Sequence, residues 1–156
     1  MPARPLYTQF AWAYDRIIAK PVEAWCQFIH AILQHHEFST DARILDAGCG
    51  TGEYALRLGA IGYRVDGIDL SADMIDQAKL KARQRALDVR FSVQNMLESN
   101  TTHQYDVVLC RGVLNDLIAE SIREAAFKSF AERLHKVGLL ILDVRDWEQS
   151  AIAKSK

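Results

Sequence analysis

The chain reads as an α/β protein with a doubly wound, mostly parallel sheet of five strands preceded by two N-terminal helices. Short apolar runs alternate with amphipathic stretches from residue 43 onward, the pattern of strand–helix units covered on both faces. The runs "RILDA", "YRVDGID", "VRFSV", "YDVVLC" and "LLILDV" mark the five strands. Between the first run and its helix, "ILDAGCGTGEYA" sets glycines at 48, 50 and 52. A plain turn needs one glycine or two. Three at alternate positions mark a place where something approaches the backbone closely.

The elements follow in order. "YTQFAWAYDRIIAK" places Tyr7, Phe10, Tyr14, Ile17 and Ile18 at helical spacing. Pro21 opens a second helix, because proline suits a first helical position. In that helix Val22, Trp25, Cys26, Ile29, Ile32 and Leu33 form one apolar stripe. The glycine loop leads into a helix from about Glu53 to Leu58, and "SADMIDQAKLKARQRA" forms the next, with Ser71 as its N-cap. "ESIREAAFKSFAERLHKV" carries Ile122, Ala126, Phe130 and Leu134 on one stripe, and Gly138 ends it before the fifth strand. Residues 1–156 form one domain: N-terminal helices over 1–40, a core over 43–143 and a tail over 144–156.

Composition narrows the function. The chain has 156 residues, 49% hydrophobic and 25% charged, with a net charge of −1. A near-neutral balance offers no electrostatic footprint for nucleic acid. No apolar run reaches the roughly 18 residues of a membrane span, and the N-terminus lacks a signal-peptide pattern. Cys26, Cys49 and Cys110 are odd in number and far apart, which fits free thiols in a reducing cytoplasm. His35 and His36 have no third ligand at usable spacing, so no metal site is expected.

In a doubly wound sheet, ligands sit beyond the carboxyl ends of the strands, where strand order reverses. The glycine loop is at that place. Asp69, ending the second strand, can accept hydrogen bonds from both hydroxyls of a ribose. Loop and acid together imply a cofactor containing a nucleoside. The dinucleotide fingerprint would put its last glycine at residue 53, where this chain has Glu53. The pattern is instead D-x-G-x-G-x-G led by Asp46, and a carboxylate there suits a positively charged cofactor. A nucleotide-dependent oxidoreductase is disfavoured on the same ground.

On "ILDAGCGTG", "VDGIDLSADMIDQA", "VQNMLE", "YDVVLCRGVLND" and "LHKVGLLILDVRD", the chain resembles the class I S-adenosylmethionine-dependent methyltransferases over residues 43 to 143. Its fourth- and fifth-strand motifs are most similar to small-molecule members of the glycine or sarcosine N-methyltransferase type. The resemblance implies S-adenosylmethionine as cofactor and S-adenosylhomocysteine as product. It places Asp46, Gly48, Cys49, Gly50 and Gly52 around the methionine portion, with Cys110 and Arg111 beside it. Asp69 takes the ribose, Leu70 and Met74 pack around ribose and adenine, and Asn95 and Met96 meet the adenine. Tyr14 is the aromatic residue of the N-terminal segment expected to close over the cofactor. Val137 stands where the family has proline, and the chain has one glycine there where two are usual.

No residue stands out as a catalytic base. The fourth strand lacks the Asn/Asp-Pro-Pro-aromatic signature of nucleic-acid and glutamine methyltransferases, so a small-molecule acceptor is expected. The family sheet ends in two further strands, and residue 156 comes too early for both; a shortened or truncated member is expected. The fifth strand is then an open edge, predicting a two-fold homodimer through it. Methyl transfer and cofactor binding without turnover both remain open at this point.

Overall fold

The computed structural model describes residues 5–18, 21–99 and 104–144. After two 3-10 turns (Pro5–Tyr7 and Ala11–Ala13) come helices α1 (Tyr14–Ile17) and α2 (Val22–His35). The core then alternates: β1 (Arg43–Ala47), α3 (Glu53–Ile61), β2 (Arg64–Asp69), α4 (Ala72–Gln84), β3 (Arg90–Val93), β4 (Tyr105–Cys110), a 3-10 turn (Leu114–Asp116), α5 (Glu120–Arg133) and β5 (Leu134–Leu142). All pairings are parallel, in the order β3-β2-β1-β4-β5. Strand order reverses between β1 and β4. The doubly wound architecture expected from the sequence is the one observed.

Alternation along β1 divides the core. Ile44 packs with Ile29 and Leu33 of α2, Leu56 and Leu58 of α3, and Ile75 and Ala78 of α4. Leu45 packs on the other face with Ala126 and Phe130 of α5. Successive strand side chains point to opposite faces, so one pentapeptide contributes to both layers.

Two stretches depart from the expected helices. The N-terminal segment is not one continuous helix: two 3-10 turns precede a single α-helical turn. Its small residues Ala11 and Ala13 are buried, while large apolar Trp12 and Ile17 stay exposed. Packing therefore follows the alanines rather than the aromatic stripe. At the other end, α5 stops at Arg133 and Leu134 enters β5 directly. Leu134 pairs with Tyr105 of β4, and the register then jumps so that Leu139 pairs with Val107. The intervening "HKVG" bulges out of the ladder. Leu134 fits the helical stripe by spacing, but pairing with β4 overrides it. Gly138 lies inside this bulge, where a Cβ would stand 2.8 Å from Leu134 Cδ2 and 3.1 Å from the Asp106 carbonyl.

Candidate active site at the strand-order reversal

The glycine loop leaves β1 at the reversal and is fastened to the end of β2. The Gly48 and Cys49 amides donate to the Ile68 carbonyl at 2.8 and 2.9 Å. Gly50 N–H donates to Asp69 Oδ2 at 2.9 Å, and Gly52 N–H to the Cys49 carbonyl at 3.0 Å. Each glycine has its own reason. A Cβ on Gly48 would lie 2.5 Å from Val113 Cγ2. Gly52 is the N-cap of α3 in the left-handed region, φ 77°, and a Cβ there would lie 2.7 Å from the Phe91 ring. Nothing stands within 4 Å of where a Gly50 Cβ would be; that side of the loop faces open space.

The open space is a cavity of about 530 Å³. Its walls include Tyr14, Asp46, Gly48, Cys49, Gly50, Asp69, Leu70, Met74 and Arg111, which are nine of the residues expected from the sequence. Four expected residues are not among its walls. Gly52 sits behind the loop against Phe91 and Ala78. Cys110, ending β4, is wholly buried. Met96 packs against the α5-side core. Asn95 is engaged in its own turn, accepting from Leu97 N–H at 3.1 Å and donating to Glu98 at 2.8 Å. Arg145 and Asp146, which follow the fifth strand and could bind substrate or form a solvated charge pair, lie outside the described residues.

Carboxylates dominate the polar lining. Asp46 is 2% exposed. Asp69 accepts from Gly50 N–H through Oδ2 and from Ser71 N–H at 2.8 Å through Oδ1. Asp116 and Asp143 line the side toward β4 and β5. Among the described lining residues Arg111 is the one cationic side chain, and its Nη2 is 3.0 Å from Asp143 Oδ2. Its guanidinium lies between the rings of Trp25 and Tyr54, 4.1 and 4.3 Å from their centroids, a doubly faced cation–π contact. Such a cavity favours a cationic guest over a pyrophosphate.

Protonation states follow from these surroundings. Burial, with the neighbouring Tyr7 and nearby carboxylates, pushes the Tyr14 phenol up to about 12, so it stays a hydroxyl donor. Burial and the Asp46 carboxylate push Cys49 well above the usual thiol range and Cys110 up to about 12. Neither is a nucleophile at neutral pH. Burial alone would raise Glu53, but hydrogen bonds from Arg85 and Lys81 overcome it and hold its carboxyl below the ordinary value. Glu53 is thus occupied by Lys81 of α4 and by Arg85, the residue that follows that helix, and is absent from the cavity wall.

Sequence reading missed Tyr54, Ser71, Gly112, Val113, Asp116 and Asp143 as wall residues, and Trp25 as the ring over Arg111. Tyr54 carried a usable signal, standing in the first turn of the helix after the loop. Asp143 carried another, as an acid directly after the apolar run of the fifth strand.

The methyltransferase domain family matches residues 44–138, an interval that begins in β1 and ends in the bulge of β5. The chain belongs to the class I S-adenosylmethionine-dependent methyltransferases. It is 38% identical over 140 residues to a Geobacillus protein whose name places it among methyltransferases, covering 88% of this chain and 57% of that one. A glycine/sarcosine N-methyltransferase of Halorhodospira halochloris is 34% identical over 110 residues, 68% of this chain and 41% of the relative. The crystal structure of an S-adenosylmethionine-dependent methyltransferase from Clostridium acetobutylicum superposes with TM-score 0.79 at 26% identity, covering 90% of this chain and 58% of that one. The chain spans about half the length of the curated relatives it matches. In this family member the parallel sheet carries the glycine loop and Asp69 at the reversal of strand order.

Proposed function

We propose that the chain binds S-adenosylmethionine in the acid-lined cavity and transfers its methyl group to a small molecule. The observation that carries the reading is the Gly50–Asp69 arrangement. The loop amides at 48, 49, 50 and 52 are bonded within the protein, and the cavity meets carboxylates instead. Each Asp69 oxygen accepts one backbone N–H and retains capacity for a ribose hydroxyl. Asp46 is the proposed countercharge to the ammonium of the methionine portion, and Met74 and Leu70 the apolar flank. Tyr14 contributes a protonated hydroxyl from the N-terminal segment. Asn95 and Met96 follow closely on Val93, the β3 residue that pairs with Asp69, which supports them as adenine contacts along the rim.

The bound cofactor supplies a methyl group already activated by its sulfonium. The protein's part is to orient the two reactants and exclude water. The near-neutral composition and the N-methyltransferase relative support a small acceptor, and three free, buried cysteines support a cytoplasmic setting.

Calorimetric titration tests the cofactor. S-adenosylhomocysteine and S-adenosylmethionine are expected to bind and NAD is not; the reverse result sinks the reading. Release of S-adenosylhomocysteine on addition of small amines or hydroxy compounds tests turnover.

We also propose that the outer edge of β5 pairs with a second copy. Among the described residues it has no strand neighbour, and Val137 on its bulge is 88% exposed. Light scattering at micromolar concentration is expected to give a dimer, and a clean monomer would remove the proposal.

A further inference from the structure

The N-terminal segment crosses the cavity wall and is held at two points. Near its start, the Tyr7 carbonyl accepts from the Ser71 hydroxyl. Near its end, Asp15 makes the stronger attachment. Its Oδ1 accepts from Thr51 Oγ1 at 2.7 Å, and its Oδ2 from Lys81 Nζ at 2.6 Å. Lys81 also reaches Glu53 Oε1 at 2.7 Å, and Glu53 is held in turn by Arg85 at 2.9 Å. Charge-assisted bonds of this kind are the stronger class. Thr51 is 1% exposed and stands between Gly50 and Gly52, inside the loop that shapes the cavity. Tyr14, the residue next to Asp15, lines the cavity with Tyr7, their rings 5.7 Å apart. One carboxylate therefore joins the two walls that a ligand would touch.

We propose that Asp15 is a positioning residue that couples the N-terminal segment to the glycine loop, so that a ligand settling one settles the other. The inference rests on the S-adenosylmethionine reading above. Asp15 does not line the cavity; it acts through Thr51 on one side and Tyr14 on the other. A merely structural fastening would stabilise the empty and the liganded chain equally. Coupling is different: it slows escape of a bound ligand and transmits protection between the two segments.

The experiment uses the full chain and S-adenosylhomocysteine as the probe. Dissociation is followed by chase with excess ligand in wild type, D15A, D15N, T51V and the D15A/T51V double variant. Hydrogen exchange is followed over residues 5–18 and 48–54 with and without the probe. D15A is expected to release the probe about tenfold faster, a change of about 1.4 kcal/mol, with D15N between it and wild type. T51V is expected to be faster than wild type, and the double variant no faster than D15A, because both remove the same link. In wild type the probe is expected to slow exchange in both segments, and in D15A to slow it less over 5–18 than in wild type. An unchanged release rate, or undiminished protection of 5–18 in D15A, overturns the coupling alone. If D15A fails to fold, D15N decides by the same two readouts. A wild-type chain that binds no probe overturns the cofactor reading and this inference together.

Discussion

The two ends of the sheet use aspartate in opposite ways. At the amino end, Asp66 is held by Arg90 through both oxygens at 2.8 and 3.0 Å, and accepts from the Tyr105 hydroxyl at 2.9 Å. Arg43 lies 3.6 Å from the same carboxylate, and Arg64 pairs with Asp41 at 3.3 Å. At the carboxyl end, Asp46, Asp69, Asp116 and Asp143 share one wall with, among the described residues, a single guanidinium. Acids matched by solvent-exposed cations contribute little beyond local order. Acids gathered around a cavity and left in excess mark where a positive ligand belongs. The difference between the ends, rather than any one residue, locates the function.

The largest effect is expected from Asp69→Ala. Removing an acceptor for charge-assisted bonds should weaken cofactor binding by about 1.5–3 kcal/mol, a ten- to hundredfold loss in affinity. It also strips the acceptor from the Gly50 and Ser71 amides. Calorimetry, with circular dichroism to confirm the fold, reads the loss; an unchanged Kd breaks the comparison at its functional end. Gly52→Ala should act on stability instead. Its left-handed φ and the contact with Phe91 imply a cost of about 1–3 kcal/mol, read by urea unfolding.

Arg90→Ala probes the opposite end. Arg90 is largely solvent-exposed in its pair with Asp66, so about 0.2–1 kcal/mol of stability should go, with cofactor affinity unchanged. A large affinity change there would erase the distinction between the ends. Glu53→Gln should leave cofactor affinity least affected and give a pH signature in stability. The folded carboxyl sits below its ordinary 4.5, so its stabilisation is present above that value and lost as pH falls through the lower folded one. Melting curves of wild type and variant are expected to differ most near neutral pH and to converge in acid.

Local chemistry decided how much could be read in advance. β1 and β4 match their expected bounds because short apolar runs flanked by glycine or polar residues leave little choice. The walls formed by Asp46, Gly48, Gly50 and Asp69 were legible for the same reason: a loop and the next strand end bring them together. Tyr54 and Asp143 each carried a local signal, but their meeting with Asp116 depends on β1, β4 and β5 lying side by side. Trp25 faces Arg111 across 86 positions of chain, while its own helical stripe marked it simply as core. Leu134 shows the converse: its helical spacing is real, yet pairing with Tyr105 outweighs it. Asn95 is tied into its own turn, accepting from Leu97 N–H, a local bond that its place after β3 does not announce.

The buried thiols give the molecule three internal clocks. Cys26 on α2, Cys49 in the glycine loop and Cys110 at the end of β4 are all shielded, and burial holds each thiol far from its reactive form. An alkylating reagent can therefore reach them only when their surroundings open. The three labelling rates, read by mass in one sample, would time the opening of the N-terminal layer, the loop and the sheet separately. Cys49 should run at a different pace once the cavity is filled, while Cys26 reports whether the layer beneath it feels the change.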